Sequence, residues 1–264
     1  MHSKGMYKEL VFYLEACESG SMFATLPSNM NIYATTAANG KESSWGTYCG
    51  QNATVDGKNI GSCLGDLFSV SWMEDSDLKT PGETIEAQFD KVKQEVALKS
   101  HAQEFGDKTI AAEPLTSFQG NQNSTTPRVA AIRAAPREDK GGDTMLDSRH
   151  IELTQTMRHF LETDSEEAGD ELIRLVNERL EAGRRFRAIS KEVTGAELVS
   201  GVMPEPGAHI TCHHAGHKAY VAKCGEWSVG ALKYSATLLK LCAHQSGDAS
   251  RIIAGITKVC AKRS

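Results

Sequence analysis

Cys17 follows a near-continuous apolar run, Leu10-Val11-Phe12-Tyr13-Leu14, and precedes the small and polar Glu18-Ser19-Gly20-Ser21. A run of that kind reads as a strand buried on both faces. In open α/β sheets, reacting groups collect at the carboxyl ends of strands. Small neighbours give a thiol access and leave backbone N–H groups free to hold an oxyanion. Cys17 is therefore a candidate nucleophile. The alternative is an inert, buried cysteine that serves packing alone.

The surrounding chain predicts the elements that would position it. Residues 9–16 form the strand that ends at the thiol, and residues 31–36 form a second. Residues 67–73 alternate and are predicted as a third strand. Ile85, Phe89, Val92 and Val96 recur at helical spacing. Strands alternating with helices indicate an α/β sheet over residues 1–120. Residues 121–147 are rich in Gly, Pro, Asn and Thr and read as a linker. From 148 to 264 the pattern is helical throughout, broken at Pro204 and Pro206.

The 264 residues are 40% hydrophobic and 24% charged, a globular composition. No apolar run approaches the ~20 residues of a membrane span. The net charge of −5 speaks against a nucleic-acid partner. The charge is uneven. Residues 1–123 hold nine lysines and no arginine against sixteen carboxylates, and every arginine comes later. Two parts of different charge suggest two domains, with the arginines of residues 174–187 able to dock on the acidic part.

Seven cysteines occur without a CxxC pair, which argues against zinc ribbons and thioredoxin-type motifs. Six can pair and leave Cys17 free, which implies an oxidising compartment. The sequons at Asn52 and Asn123 fit that compartment as glycosylation candidates. The first residues, Met1-His2-Ser3-Lys4-Gly5-Met6, lack the apolar stretch of a secretory leader, so the expectation is a protein whose true start lies upstream. His209, His213 and His217 share a helical face beside Cys212. Such a face can hold a metal or respond to pH, and the reading adopted has no metal.

Glu15-Ala16-Cys17-Glu18-Ser19-Gly20-Ser21-Met22 resembles the nucleophile segment of the legumain family, the asparaginyl endopeptidases. Tyr33-Ala34-Thr35-Thr36-Ala37-Ala38-Asn39, Glu42-Ser43-Ser44, Leu64-Gly65-Asp66 and Trp72-Met73-Glu74-Asp75 resemble that family in the same order. Phe105-Gly106-Asp107-Lys108-Thr109-Ile110 and Phe118-Gln119-Gly120 resemble the end of its catalytic domain, and the four late cysteines resemble its prodomain.

The resemblance implies the C-terminal part of a caspase-like α/β/α sheet domain (1–120), an activation linker (121–147) and an all-helical, disulfide-linked prodomain (148–264). It implies a cysteine endopeptidase acting after Asn, and weakly after Asp in acid, with Cys17 as nucleophile and Glu15, Ser43 and Asp66 lining the Asn pocket. An amide both donates and accepts, so a pocket built from two carboxylates and a hydroxyl suits it. Acceptance of a charged Asp there would need protons. The resemblance also implies the pairs Cys49–Cys63, Cys212–Cys242 and Cys224–Cys260. Activation cleavage is expected at Asn121, Asn123 or Asp147.

The implied partners are protein and peptide substrates containing Asn and the chain's own prodomain, in a vacuole, a lysosome or outside the cell. No cofactor is implied. The family's base is a His-Gly ahead of the nucleophile, and none occurs before Cys17. An unassisted thiol is only about a few per cent ionised at neutral pH, so this chain is expected to be inactive as it stands. The alternatives are a peptide ligase by aminolysis of the same thioester, or a non-catalytic binding or inhibitory protein using the helical domain.

Overall fold

The computed structural model describes residues 1–78, 80–120, 145–197, 204–205 and 207–261. It divides into two compact units, Met1–Ile151 and Glu152–Ser264.

In the first unit, β1 (Leu10–Leu14) pairs parallel with β2 (Ile32–Thr36), Leu10 opposite Ile32. A parallel pair needs a crossover, and residues 15–31 supply it with a short helix, α1 (Gly20–Phe23). β3 (Trp45–Thr47) follows, then a small hairpin of β4 (Thr54–Val55) and β5 (Lys58–Asn59). β6 (Gly65–Asp66) pairs antiparallel with β3 and leads into helix α2 (Leu67–Leu78). Helix α3 (Ile85–Val96) is capped by the Thr84 side chain, which accepts from Ala87 N. β7 (Gln103–Gly106) runs antiparallel to β2, so the main sheet has the order β1-β2-β7. Helix α4 (Thr116–Gln119) ends this stretch. β8 (Leu146–Asp147) then returns to pair antiparallel with β3.

The core beneath the site packs Leu67 and Phe68 of α2 against Phe89, Val92 and Val96 of α3. α2 corrects the strand predicted over residues 67–73. Its buried residues Leu67, Phe68, Val70, Ser71 and Asp75 repeat at helical spacing. Two of them are polar, which breaks the apolar stripe and leaves only the misleading alternation visible in the sequence. Asp75 is satisfied by Gln88 Nε2 at 3.2 Å and Lys91 Nζ at 3.1 Å.

The second unit is helical: α5 (Ile151–Thr163, beginning at the last residue of the first unit), α6 (Glu166–Thr194), α7 (Ile210–Cys224), α8 (Ser235–His244) and α9 (Ser250–Cys260). Ser165 caps the 29-residue α6, and Gly195 ends it with φ 82°, a conformation glycine adopts at little cost. Phe186 and Ile189 of α6 pack on Leu238, Leu241, Ile252 and Ile256. Cys212–Cys242 ties α7 to α8, and Cys224–Cys260 ties α7 to α9. Three of the arginines expected to dock elsewhere have partners on their own helix: Arg174 meets Glu171 and Glu178, and Arg184 and Arg185 meet Glu181.

Candidate active site

β1 delivers Glu15 and Cys17 to the end of the main sheet. The loop that follows is pinned to β2's continuation. Ser19 Oγ donates to Ala38 O at 3.2 Å and accepts from Ala38 N at 3.1 Å, while Gly20 N donates to Ala38 O at 2.9 Å. A Cβ on Gly20 would come 2.4 Å from Gln103 Oε1 and 3.1 Å from Ala38 O, so glycine is what lets the loop sit this close to the sheet.

The next turn faces it. Glu18 N donates to Glu42 O at 2.7 Å. The Glu42 carboxylate gathers Asn39 N at 2.9 Å, His101 N at 2.6 Å and His101 Nδ1 at 2.9 Å. Burial works against its charge, but these donors hold its pKa below the ordinary carboxylate range. So fixed, the turn presents buried Ser44 to the thiol. Ser44 N donates to Cys17 Sγ at 3.4 Å, and Ser44 Oγ lies 3.6 Å from the same sulfur.

Glu15 points beneath the thiol towards the start of α2, where Ser69 N donates to its Oε2 at 2.7 Å. Its Oε1 is buried and has no hydrogen-bond partner among the described residues. Burial pushes the Glu15 carboxyl up to about 7, and nearby Asp66 adds to the shift. Asp66, opposite Gly46 in the β3–β6 pair, is also raised by burial.

Asp66 is reached by a residue from far along the chain. Ser148 Oγ donates to Asp66 Oδ1 at 3.1 Å and lies 3.1 Å from Ser44 Oγ. Ser148 N donates to Ser44 O at 3.1 Å, so the segment 146–148 runs antiparallel along β3 and its extension. Arg149 pairs with Glu18. The structure thus gathers Cys17, Glu15, Ser44, Asp66, Ser148 and Arg149. Ser43 is half-buried on the turn beside Ser44. Asp147 sits in β8 with its carboxylate accepting from Arg149 N at 2.9 Å. Asn121 and Asn123 lie outside the described residues. Asn52 is exposed in the loop closed by Cys49–Cys63, and Cys17 is the free cysteine.

Sequence reasoning did not single out Ser148 or Arg149, which lie at the start of the stretch assigned to the helical prodomain. Ser44 was visible only as part of a motif. Among the described residues, no group of three or more His, Cys, Asp or Glu is placed to hold a metal ion. In the histidine face, His213 Nε2 lies 2.9 Å from Ser235 Oγ and His217 stacks on Trp227. No described helix is long and apolar enough to cross a membrane.

A free thiol thus lies just beyond a parallel strand, in one hydrogen-bonded group with Ser44, Ser148 and the Asp66 carboxylate. The Peptidase C13 family profile matches residues 1–121. The chain is similar to the vacuolar-processing enzyme delta-isozyme of Arabidopsis thaliana, with 32% identity over 98% of this chain and 59% of that protein. It is equally similar to legumain of Bos taurus, 32% identical over 98% of this chain and 59% of that protein. It is 46% identical to the vacuolar-processing enzyme of Glycine max over 47% of this chain and 27% of that protein. The chain belongs to the legumain family of C13 peptidases. It spans 59% or less of the length of these relatives.

Proposed function

We propose that the protein is a cysteine endopeptidase zymogen that cleaves after Asn, and weakly after Asp in acid, with Cys17 as nucleophile. The observation that carries this reading is the recess beside the thiol. Glu15 Oε1 is buried and has no hydrogen-bond partner among the described residues, and Asp66 accepts a hydroxyl proton from Ser148. An Asn amide offers two donors and one acceptor. An ionised carboxylate takes a donor, and a protonated one serves the amide oxygen. With Glu15 near about 7, both forms are populated close to neutrality. In acid the recess loses negative charge, and an Asp side chain can enter.

The reaction is attack by the Cys17 sulfur on the carbonyl carbon after Asn. The S–C bond forms as the peptide C–N bond breaks, the amine leaves with a proton, and water hydrolyses the thioester. Aminolysis of the same thioester would give a ligase.

Segment 146–149 supports an inhibitory role for the prodomain side of the linker. It pairs antiparallel with β3, presents Ser148 to Asp66, and joins the Glu18 carboxylate to Arg149. Cleavage at Asp147 would require this strand to leave β3, and Asn121 and Asn123 remain the other candidate points. Protein substrates and the relatives' names together favour a vacuole or lysosome.

The test is cleavage of matched Asn, Asp and Gln peptides by acid-incubated protein from its source. Cutting after Asn that disappears in Cys17→Ala supports the reading. Activity unchanged by Cys17→Ala would favour the non-catalytic alternative.

A further inference from the structure

The hydrogens around the thiol can be assigned by counting donors. An ionised carboxylate only accepts, so the single hydroxyl proton of Ser148 goes to Asp66 Oδ1, 3.1 Å away. Ser148 Oγ also lies 3.1 Å from Ser44 Oγ. With its own proton committed, Ser148 can only accept there, so the Ser44 proton points at Ser148. Ser44 Oγ then offers only lone pairs to Cys17 Sγ at 3.6 Å, and the sulfur itself must supply the hydrogen of that contact. The chain runs one way, from S–H through Ser44 and Ser148 to Asp66. The Ser44 backbone N–H, 3.4 Å from the sulfur, is not part of this chain and donates in any case.

We propose that Ser44 is a positioning residue for the Cys17 sulfur with two settings, selected by whether Ser148 occupies the recess. With Ser148 in place, the Ser44 hydroxyl accepts from the thiol and keeps it neutral. With Ser148 gone, that hydroxyl has no acceptor on its far side and turns to donate to the sulfur, which stabilises the thiolate. Ser148 therefore works against the thiolate, while the Arg149 cation of the same segment, close enough to interact with Cys17, works for it and is unchanged in every variant below. The inference rests on the reading of Cys17 as the nucleophile, but its test needs no proteolysis.

Cys17 is the free cysteine, so alkylation of the intact chain by iodoacetamide reports on one sulfur. The thiolate attacks the CH₂ carbon, a C–S bond forms and iodide leaves. At one fixed, neutral pH, Ser148→Ala should alkylate about tenfold faster than the parent, the gain expected of one charge-assisted donor. Ser44→Ala/Ser148→Ala should lose that gain when set against Ser44→Ala alone, and Ser44→Thr/Ser148→Ala, which keeps the hydroxyl, should recover it. If the fast alkylation persists in the double alanine variant, Ser148 only shields the sulfur and the proposal is wrong. No acceleration in Ser148→Ala overturns it equally. Should Ser148→Ala fail to fold with its three disulfides, Ser148→Gly removes the same hydroxyl. A cycle that behaves as expected in protein that cuts no Asn peptide would refute the proteolytic reading and leave this one standing.

Discussion

The two units are stabilised by different means. The first buries ionisable groups: Glu15 and Asp66 at the site, and Asp75 and Glu83 around the half-exposed Lys91. The second buries rings and aliphatics around Phe186, which stacks between Tyr220 and Tyr234 with centroids 5.1 Å away, and most of its described ion pairs lie on the surface. Buried carboxylates cost stability that apolar packing does not, and a catalytic recess needs them. The comparison teaches that the active-site unit carries its pH sensitivity in its own interior, while the helical unit takes its stability from packing and cross-links.

The comparison is broken most severely in the helical core. Phe186→Ala removes a fully buried ring and should cost about 4 kcal/mol, read as a lower denaturation midpoint for that unit alone. If the first unit's transition moved as far, the two would not be independent.

Removing one cross-link comes next. Cys212→Ser/Cys242→Ser should cost roughly 3 kcal/mol in the same unit, measured by calorimetry under non-reducing conditions.

A pH series sharpens the contrast, because two half-buried groups give opposite slopes. The Glu15 carboxyl is pushed from 4.5 up to about 7, so the folded state holds a proton that the unfolded chain releases. Its contribution is fully present below about 4.5 and is lost as pH rises through about 7, a change of about 3 kcal/mol. Glu15→Gln should flatten that decline. In the helical unit, burial pushes His213 down, against a hydrogen bond to Ser235, with His217 and His214 adding to the shift. That contribution is present above 6.5 and is lost as pH falls. Glu42 and Glu104, both lowered, act against Glu15 within the first unit, so the difference between parent and Glu15→Gln is the quantity to read. Stability curves for the two transitions that ran parallel in pH would contradict this assignment.

The smallest effect is expected at the surface. Arg174→Ala breaks two fully exposed pairs with Glu171 and Glu178 and should leave the melting temperature unchanged within error.

Much of this architecture was legible before any coordinates. β1 and β2 are apolar runs closed by turn residues, and α3 and α6 carry clear helical spacing. Glu15 and Cys17 sit two residues apart at a strand end, so their placement followed from one element. α2 was misread because Ser71 and Asp75 interrupt its buried face, and the groups that satisfy Asp75 lie on another helix. Ser148 and Arg149 were invisible for a different reason. Their partners Ser44, Asp66 and Glu18 lie 82 or more positions away, and no local pattern records a contact across that distance.

The central claim is that Cys17 serves a recess made for Asn. The most direct measurement is labelling of Cys17, in acid-incubated protein, by short peptides ending in an Asn or a Gln chloromethyl ketone. Faster labelling by the Asn probe, with the preference lost in Glu15→Ala and Asp66→Ala, is the predicted result. Equal rates for the two probes, or a preference indifferent to Glu15 and Asp66, would contradict it.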